Sequence, residues 1–264
     1  MKSSYYKYFA ALLLFGSNGI VASNINLPSY EIVLLRLLLG SLFLITVFTV
    51  SRQRFTFYRN KHTCLYLFIS ASAMGASWML LYEAYQQVGI SIASLAYYCG
   101  PVIVMILSPF LFRETLTWPK IACFLTVLAG MCLVNLQALD EGKTIWGLFC
   151  GLMSAFMYAL MVTANKKAKP ESGLENSLLQ LVIGSFIVVA FVSMQKNFVL
   201  SLTTIDWIPV LLLGLLNTGI GCYLYFSSIT DLPVQTVAIC GYLEPLSAVV
   251  FSVLFLHEVL LPLQ

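Results

Sequence analysis

Polar and charged positions in this chain are few, and they fall in short clusters that separate long apolar blocks. The blocks lie at about 8–22, 29–50, 63–84, 90–112, 117–136, 144–164, 174–194, 205–228 and 233–256. Several reach the ~20 residues that a helix needs to cross a ~30 Å hydrocarbon layer. Nine membrane-spanning helices are therefore predicted, joined by connections too short for a separate soluble domain. The expected fold is all-α, a polytopic transmembrane helical bundle. Lys2 and Lys7 ahead of the first block give it the look of a signal peptide. Asn18 within that block, and the many spans that follow, favour a retained first helix.

Composition points the same way. Of 264 residues, 60% are apolar and 9% charged, against about 25% charged in ordinary soluble domains. Mean hydropathy is +0.90. The seven cysteines (Cys64, Cys99, Cys123, Cys132, Cys150, Cys222 and Cys240) form no CxxC pair and read as small packing residues, with neither a disulfide framework nor a metal site implied.

The net charge of +3 says less than its placement. With the N-terminus inside, the inner segments hold eleven basic residues: Lys2, Lys7, Arg52, Arg54, Arg59, Lys61, Arg113, Lys120, Lys166, Lys167 and Lys169. The outer ones hold two, Lys143 and Lys196. Cytoplasmic loops carry the excess of Lys and Arg, so the expectation is a multi-pass protein of the inner (cytoplasmic) membrane with a cytoplasmic N-terminus.

An internal repeat is the next layer. Shifting residues 31–116 by 144 positions aligns Glu31 with Glu175, Gly40-Ser41 with Gly184-Ser185, and Gly75 with Gly219. It also aligns Tyr98 with Tyr242, Pro101 with Pro245, Ser108 with Ser252 and Glu114 with Glu258. In each copy a tyrosine stands three residues before a proline near mid-span, and a glutamate follows thirteen residues on. The shift spans five crossings, an odd number, so the second copy is expected upside down relative to the first. Inverted repeats with paired mid-membrane breaks are a recurrent plan of secondary transporters, and the breaks point to the binding site. Tolerated kinks in two unrelated helices are the plainer alternative.

These residues resemble a known family. Phe15-Gly16-Ser17-Asn18, Pro28 followed by Arg36, and Tyr82-Glu83-Ala84-Tyr85 leading to Pro101 and Arg113-Glu114 are similar to the EamA branch of the drug/metabolite transporter superfamily. So are Tyr242-Leu243-Glu244-Pro245 and His257-Glu258 in the second half. The resemblance implies ten helices as two inverted five-helix halves, and outward movement of amino acids or other small metabolites. It divides the chain into a first repeat of five helices at 1–140 and a second of four at 141–264. The tenth helix would begin where the sequence stops, at Gln264. In the family that last helix is implicated in dimer contact, so a homodimer is an open expectation.

Charges inside spans are costly, about 2.5–3.5 kcal/mol on insertion scales, and normally face the bundle interior or a watery cavity. Glu244, beside Pro245, is the deepest acid. It is either an anchor for a substrate amine or a protonatable coupling group, or else a structural carboxylate bonded to backbone freed by the proline. Arg36 is suited to a carboxylate, unless it is paired within the protein or snorkels outward. Glu114 and Glu258 look structural, meeting loop donors or the start of the next helix, and Glu31, Glu83 and Glu175 read as solvated boundary residues. Trp78, Tyr82, Tyr97, Tyr98, Tyr158, Tyr223 and Tyr242 supply aromatic surface, which is either packing or pocket. Asn18 and Asn217 are candidate neutral hydrogen-bonding groups. The candidate substrate-binding set is Asn18, Arg36, Trp78, Tyr82, Tyr98, Tyr158, Asn217, Tyr242 and Glu244, with Pro101 and Pro245 as hinges.

Enzymatic readings have little to stand on. The chain's two histidines, His62 and His257, lie at membrane edges, and there is no HExxH motif and no glycine-rich phosphate loop. Asp140, Asp206 and Asp231 fall in loops or at their margins. No metal or other cofactor is implied, and topology already explains the loop arginines without nucleic acid. The expectation is a secondary carrier for a neutral, zwitterionic or cationic small metabolite, working by alternating access within the lipid bilayer. A non-transporting membrane partner or an inactive remnant of a carrier stands as the alternative.

Overall fold

The structure, a computed structural model, describes residues 2–122, 125, 126, 129, 145–194 and 207–255. Most of the expected fifth span lies outside the described residues, as do Cys123, Cys132, Asp140, Lys143, Lys196, Asp206, His257 and Glu258.

The fold is an all-helical, polytopic bundle. Its helices are α1 (Lys2–Gly16), α2 (Asn18–Ser23), α3 (Ser29–Val50), α4 (Lys61–Tyr97) and α5 (Gly100–Phe112). After the undescribed segment come α6 (Ile145–Ala168), α7 (Gly173–Ser193), α8 (Trp207–Leu211) and a π-helical stretch (Leu212–Ile220). The last three are α9 (Gly221–Ser228), α10 (Val234–Gly241) and α11 (Leu243–Phe255). Among the described residues, seven stretches are long and apolar enough to cross a membrane, among them Tyr30–Val50, Lys61–Gly89, Ile92–Phe112 and Val234–Phe255. They match the expected second, third, fourth, sixth, seventh, eighth and ninth spans. The expected first span is divided at Ser17 into α1 and α2.

Local chemistry sets the helix ends. Pro28 and Pro233 hold the extended backbone that precedes α3 and α10. The Asn60 side chain accepts from the His62 N–H at 2.9 Å and caps α4. Gly89 lies inside α4 at φ 78°, a left-handed conformation that glycine adopts without a Cβ penalty, and there the third span turns into the fourth. Pro101 and Pro245 sit in the first turns of α5 and α11. The chain breaks just before each of them, so neither proline removes a hydrogen bond from a helix interior.

Breaks inside a membrane leave backbone groups that water cannot satisfy. Here side chains satisfy them, some from nearby and some from distant parts of the chain. The Leu14 carbonyl, at the α1–α2 break, accepts from Ser17 Oγ at 2.7 Å and from Asn217 Nδ2 at 2.9 Å. The Tyr98 carbonyl accepts from Tyr242 Oη at 2.9 Å. Tyr8 Oη donates to the Val237 carbonyl at 2.7 Å, and Thr218 Oγ1 to the Leu213 carbonyl of the π-helical stretch at 2.8 Å.

Helix α3 packs on α7 and the π-helical stretch, α4 on α6 and α7, α1 on α9 and α11, and α5 on α6 and α10. Small residues permit the closest approaches. A Cβ added at Gly75 would stand 2.9 Å from the Gly184 carbonyl oxygen, and one added at Gly40 would stand 2.9 Å from Thr218 Cγ2. The Ser41 and Ser185 hydroxyls meet at 3.0 Å across the α3–α7 contact.

Candidate functional site

Two opposite charges, Arg36 of α3 and Glu244 of α11, lie within the spans. Arg36 projects from α3, and its Nε donates to Thr218 Oγ1 at 2.9 Å. Its guanidinium carbon lies 4.7 Å from the centre of the Trp78 ring, a cation–π contact. Because the Thr218 hydroxyl hydrogen goes to the Leu213 carbonyl, its lone pairs are turned toward Arg36. Arg36 is thereby gripped on one edge and one face. Its two terminal nitrogens form no hydrogen bond or ion pair with any described residue.

Glu244 projects from the first turn of α11, where the helix dipole favours a negative charge. It is half-buried, and its carboxylate has no hydrogen-bond or ion-pair partner among the described residues. Arg36 lies within electrostatic reach of Glu244, and both charges are felt at Tyr85 and Cys222. The two charges therefore share one region without neutralising each other by contact.

Aromatic side chains line that region. Tyr82 and Tyr85 meet edge to face at 5.6 Å, as do Tyr97 and Tyr158 at 5.6 Å. The Tyr158 and Tyr225 hydroxyls lie 3.4 Å apart. Tyr98 adjoins these rings, its centre 5.7 Å from that of Tyr97. Tyr242 bridges to Tyr98 and joins the two broken spans.

The expected neutral donors are used differently. Asn217 is buried, and its amide nitrogen faces Leu14 O, Ser17 Oγ and Asn18 Oδ1 at 2.9, 2.9 and 3.0 Å. Asn18 and Asn217 thus bind each other and brace the break in the first span. Thr218, Tyr8 and Tyr225 join the assembly without having been singled out in the sequence. Nothing local marks Thr218, because its role depends on a π-helical turn; Tyr8 and Tyr225 are two tyrosines among fourteen.

A polar cluster gathers around the start of α10. The Glu114 carboxylate accepts from the backbone N–H of Val234 at 2.8 Å and of Gln235 at 3.0 Å. It meets the start of the ninth span, not that of the helix that follows it. Gln235 Nε2 donates to Ser108 Oγ at 2.9 Å, and Gln235 Oε1 accepts from Lys120. Lys166 Nζ donates to the carbonyls of Ile229, Thr230 and Leu232 beside it. Ser4 Oγ donates to Asp231 at 2.8 Å.

The expectation of solvated boundary glutamates is corrected at two positions. Glu31 is 4% exposed and Glu175 1%. Glu175 stays buried because Thr56 N–H, Thr56 Oγ and Phe57 N–H all donate to its carboxylate, which replaces water as its hydrogen-bonding partner. Glu83 is half-buried, taking hydrogen bonds from Gln87 and from Trp146 Nε1. Among the described residues, no three His, Cys, Asp or Glu side chains converge as metal ligands would.

An apolar helical bundle with broken spans around a charged, aromatic centre is the architecture of a membrane transporter. The EamA-like transporter family matches residues 3–136 and again 145–264, and the chain belongs to that family. It is 27% identical to the uncharacterized transporter YxxF of Bacillus subtilis (strain 168) over 256 residues, 94% of this chain and 80% of that one. It is also 27% identical to the threonine/homoserine exporter RhtA of Escherichia coli (strain K12) over 231 residues, 87% of this chain and 75% of RhtA. A solved crystal structure of 16% sequence identity superposes with a TM-score of 0.81, covering 99% of this chain and 91% of the other, and so shares the fold.

Proposed function

We propose that this protein is a secondary carrier that exports amino acids or closely related zwitterionic metabolites by alternating access. The observation that carries this is the pair Arg36 and Glu244: opposite charges within the spans, each uncommitted on one side, near each other among aromatic side chains without forming an ion pair. Two uncompensated charges in a bilayer interior are expensive unless they meet a ligand or water. A zwitterion satisfies both, its carboxylate on the guanidinium terminal nitrogens and its ammonium on Glu244. The likeness to a threonine/homoserine exporter supports the same substrate class and the outward direction. No ATP-binding motif stands in the sequence, so an ion gradient or the substrate's own gradient drives net flux. The Lys and Arg distribution supports an inner-membrane location with the N-terminus in the cytoplasm.

Two halves related by inversion supply the mechanical basis. The family matches twice along the chain, and two pairs of residues 144 positions apart touch, Ser41 with Ser185 and Tyr98 with Tyr242. Pairs related by a two-fold axis can touch only near that axis, which fits a central chamber that opens to one face at a time.

The test is flux of a panel of amino acids and their uncharged and singly charged analogues in proteoliposomes. Arg36→Gln is expected to lose carboxylate-bearing substrates, and Glu244→Gln to lose ammonium-bearing ones. No flux above empty vesicles from well-folded protein would instead favour a non-transporting membrane partner.

A further inference from the structure

Away from the chamber, a cavity of about 440 Å³ opens between the 51–60 loop and the end of α6. Its lining includes Thr56, Asn60, His62, Thr63, Lys167 and Lys169. It sits at a membrane boundary, where the span Lys61–Gly89 begins and the span Ile145–Ala168 ends. Thr63 and Trp78 lie fifteen residues apart on α4, about 22 Å along the helix axis, so this cavity is separate from the transport chamber.

The neighbouring lysines divide their work. Lys166 is spent on three backbone carbonyls. Lys167 and Lys169 have no hydrogen-bond or ion-pair partner among the described residues, and the ammonium of Lys167 lies 6.0 Å from the Tyr66 ring. Lys169 holds a left-handed backbone at φ 47°, a conformation uncommon for a residue with a side chain. Of the two acids in the wall, Glu175 is already saturated by Thr56 and Phe57, which leaves exposed Glu171 as the competing anion. The cavity therefore presents two ammonium groups without a hydrogen-bonded partner, an imidazole and the side-chain amide of Asn60. Its volume is in the range of small-ligand sites, ~300–1,000 Å³.

We propose that this cavity binds the phosphodiester headgroup of an anionic phospholipid, with Lys167 and Lys169 on the phosphate and the Asn60 side-chain amide on its polar substituent. A membrane-boundary position selects the lipid over a soluble anion, because the acyl chains remain in the bilayer while the headgroup enters between α4 and α6.

The experiment is a titration of detergent-solubilised protein with short-chain phosphatidylglycerol, read as the rise in thermal unfolding midpoint. The wild-type protein is expected to gain stability with phosphatidylglycerol and not with phosphatidylcholine. In the Lys167→Gln/Lys169→Gln variant, the lipid concentration at half-effect is expected to rise about tenfold or more. The Lys167→Arg/Lys169→Arg variant, which keeps the charge, is expected to retain the response and guards against a folding defect. Arg54→Gln/Arg59→Gln, with the same loss of net charge nearby, is expected to retain most of it. An equal loss in both Gln variants, or none in the lysine pair, would overturn the proposal. So would an equal response to phosphatidylcholine, or to inorganic phosphate or glycerol phosphate at matching concentration, which would mark a surface-charge effect or a soluble-anion site.

Discussion

The hydroxyl of Tyr242 donates to the backbone carbonyl of Tyr98 at 2.9 Å, and the two residues stand 144 positions apart. Each sits at the break in its own span, one residue beyond the end of α4 or α10. A carbonyl released from a helix ladder inside a bilayer has no water to turn to, so a tyrosine from the opposite half takes the place of the missing helical donor.

Tyr242→Phe keeps the ring and removes that donor. It is expected to cost about 1 kcal/mol, seen as a lower unfolding midpoint in detergent. Tyr223→Phe, on a residue whose hydroxyl makes no such bridge, should stay within error. Equal effects of the two would mean that the Tyr242 hydroxyl carries no special burden at the break.

Glu114 takes two backbone N–H groups at the start of α10. Glu114→Ala removes this cap from another helix and is expected to cost about 1 kcal/mol of stability. Glu114→Gln, which keeps an acceptor oxygen, should cost less. Gln235, held by that cap, also covers Ser108 through a hydrogen bond of 2.9 Å, so a cysteine placed at buried Ser108 should react with a water-soluble maleimide several-fold faster when Glu114 is replaced by Ala. An unchanged rate would show that the cap stabilises α10 without shielding Ser108.

Most of the spans were legible from apolar length alone, because every backbone group in a bilayer must be satisfied within a helix. The Tyr98 and Tyr242 breaks were legible from their prolines, though the prolines proved to start the new helix rather than bend an old one. The break at Ser17 and the π-helical stretch were not legible. Each is held by partners about two hundred positions away, as in the Asn217–Leu14 hydrogen bond. The burial of Glu175 escaped for the same reason, since its donors lie on a loop 119 positions earlier. Arg36 and Glu244 stood out because charge is rare and costly in a span, whereas Thr218, which orients Arg36, carries no such mark.

Close helix approach makes a further prediction. A Cβ at Gly75 would lie 2.9 Å from both the Gly184 carbonyl oxygen and Ile187 Cβ, and a backbone oxygen has no rotamer by which to retreat. Gly75→Ala should force α4 and α7 apart at a cost of about 1–3 kcal/mol. At Gly19 nothing lies within 4 Å of the added atom, so Gly19→Ala should be neutral or gain up to about 1 kcal/mol from helix propensity. Thermal unfolding of the two variants under identical detergent conditions separates the effects. Comparable losses would mean that helix spacing is not set at Gly75.

The proposed inversion of the two halves has its own test. Asn26 precedes the second span and Glu171 the seventh, and both are exposed. If five crossings separate one half from its copy, these two loops lie on opposite faces of the membrane. A membrane-impermeant thiol reagent applied to intact cells is then expected to label Asn26→Cys and spare Glu171→Cys, with both labelled after permeabilisation. The native cysteines would first be replaced, which their scatter and lack of pairing should permit. Labelling of both sites from the same side would make the halves parallel. The touching pairs Ser41–Ser185 and Tyr98–Tyr242 would then no longer mark an axis in the membrane plane, and the chamber between Arg36 and Glu244 would lose its basis for opening alternately to the two faces.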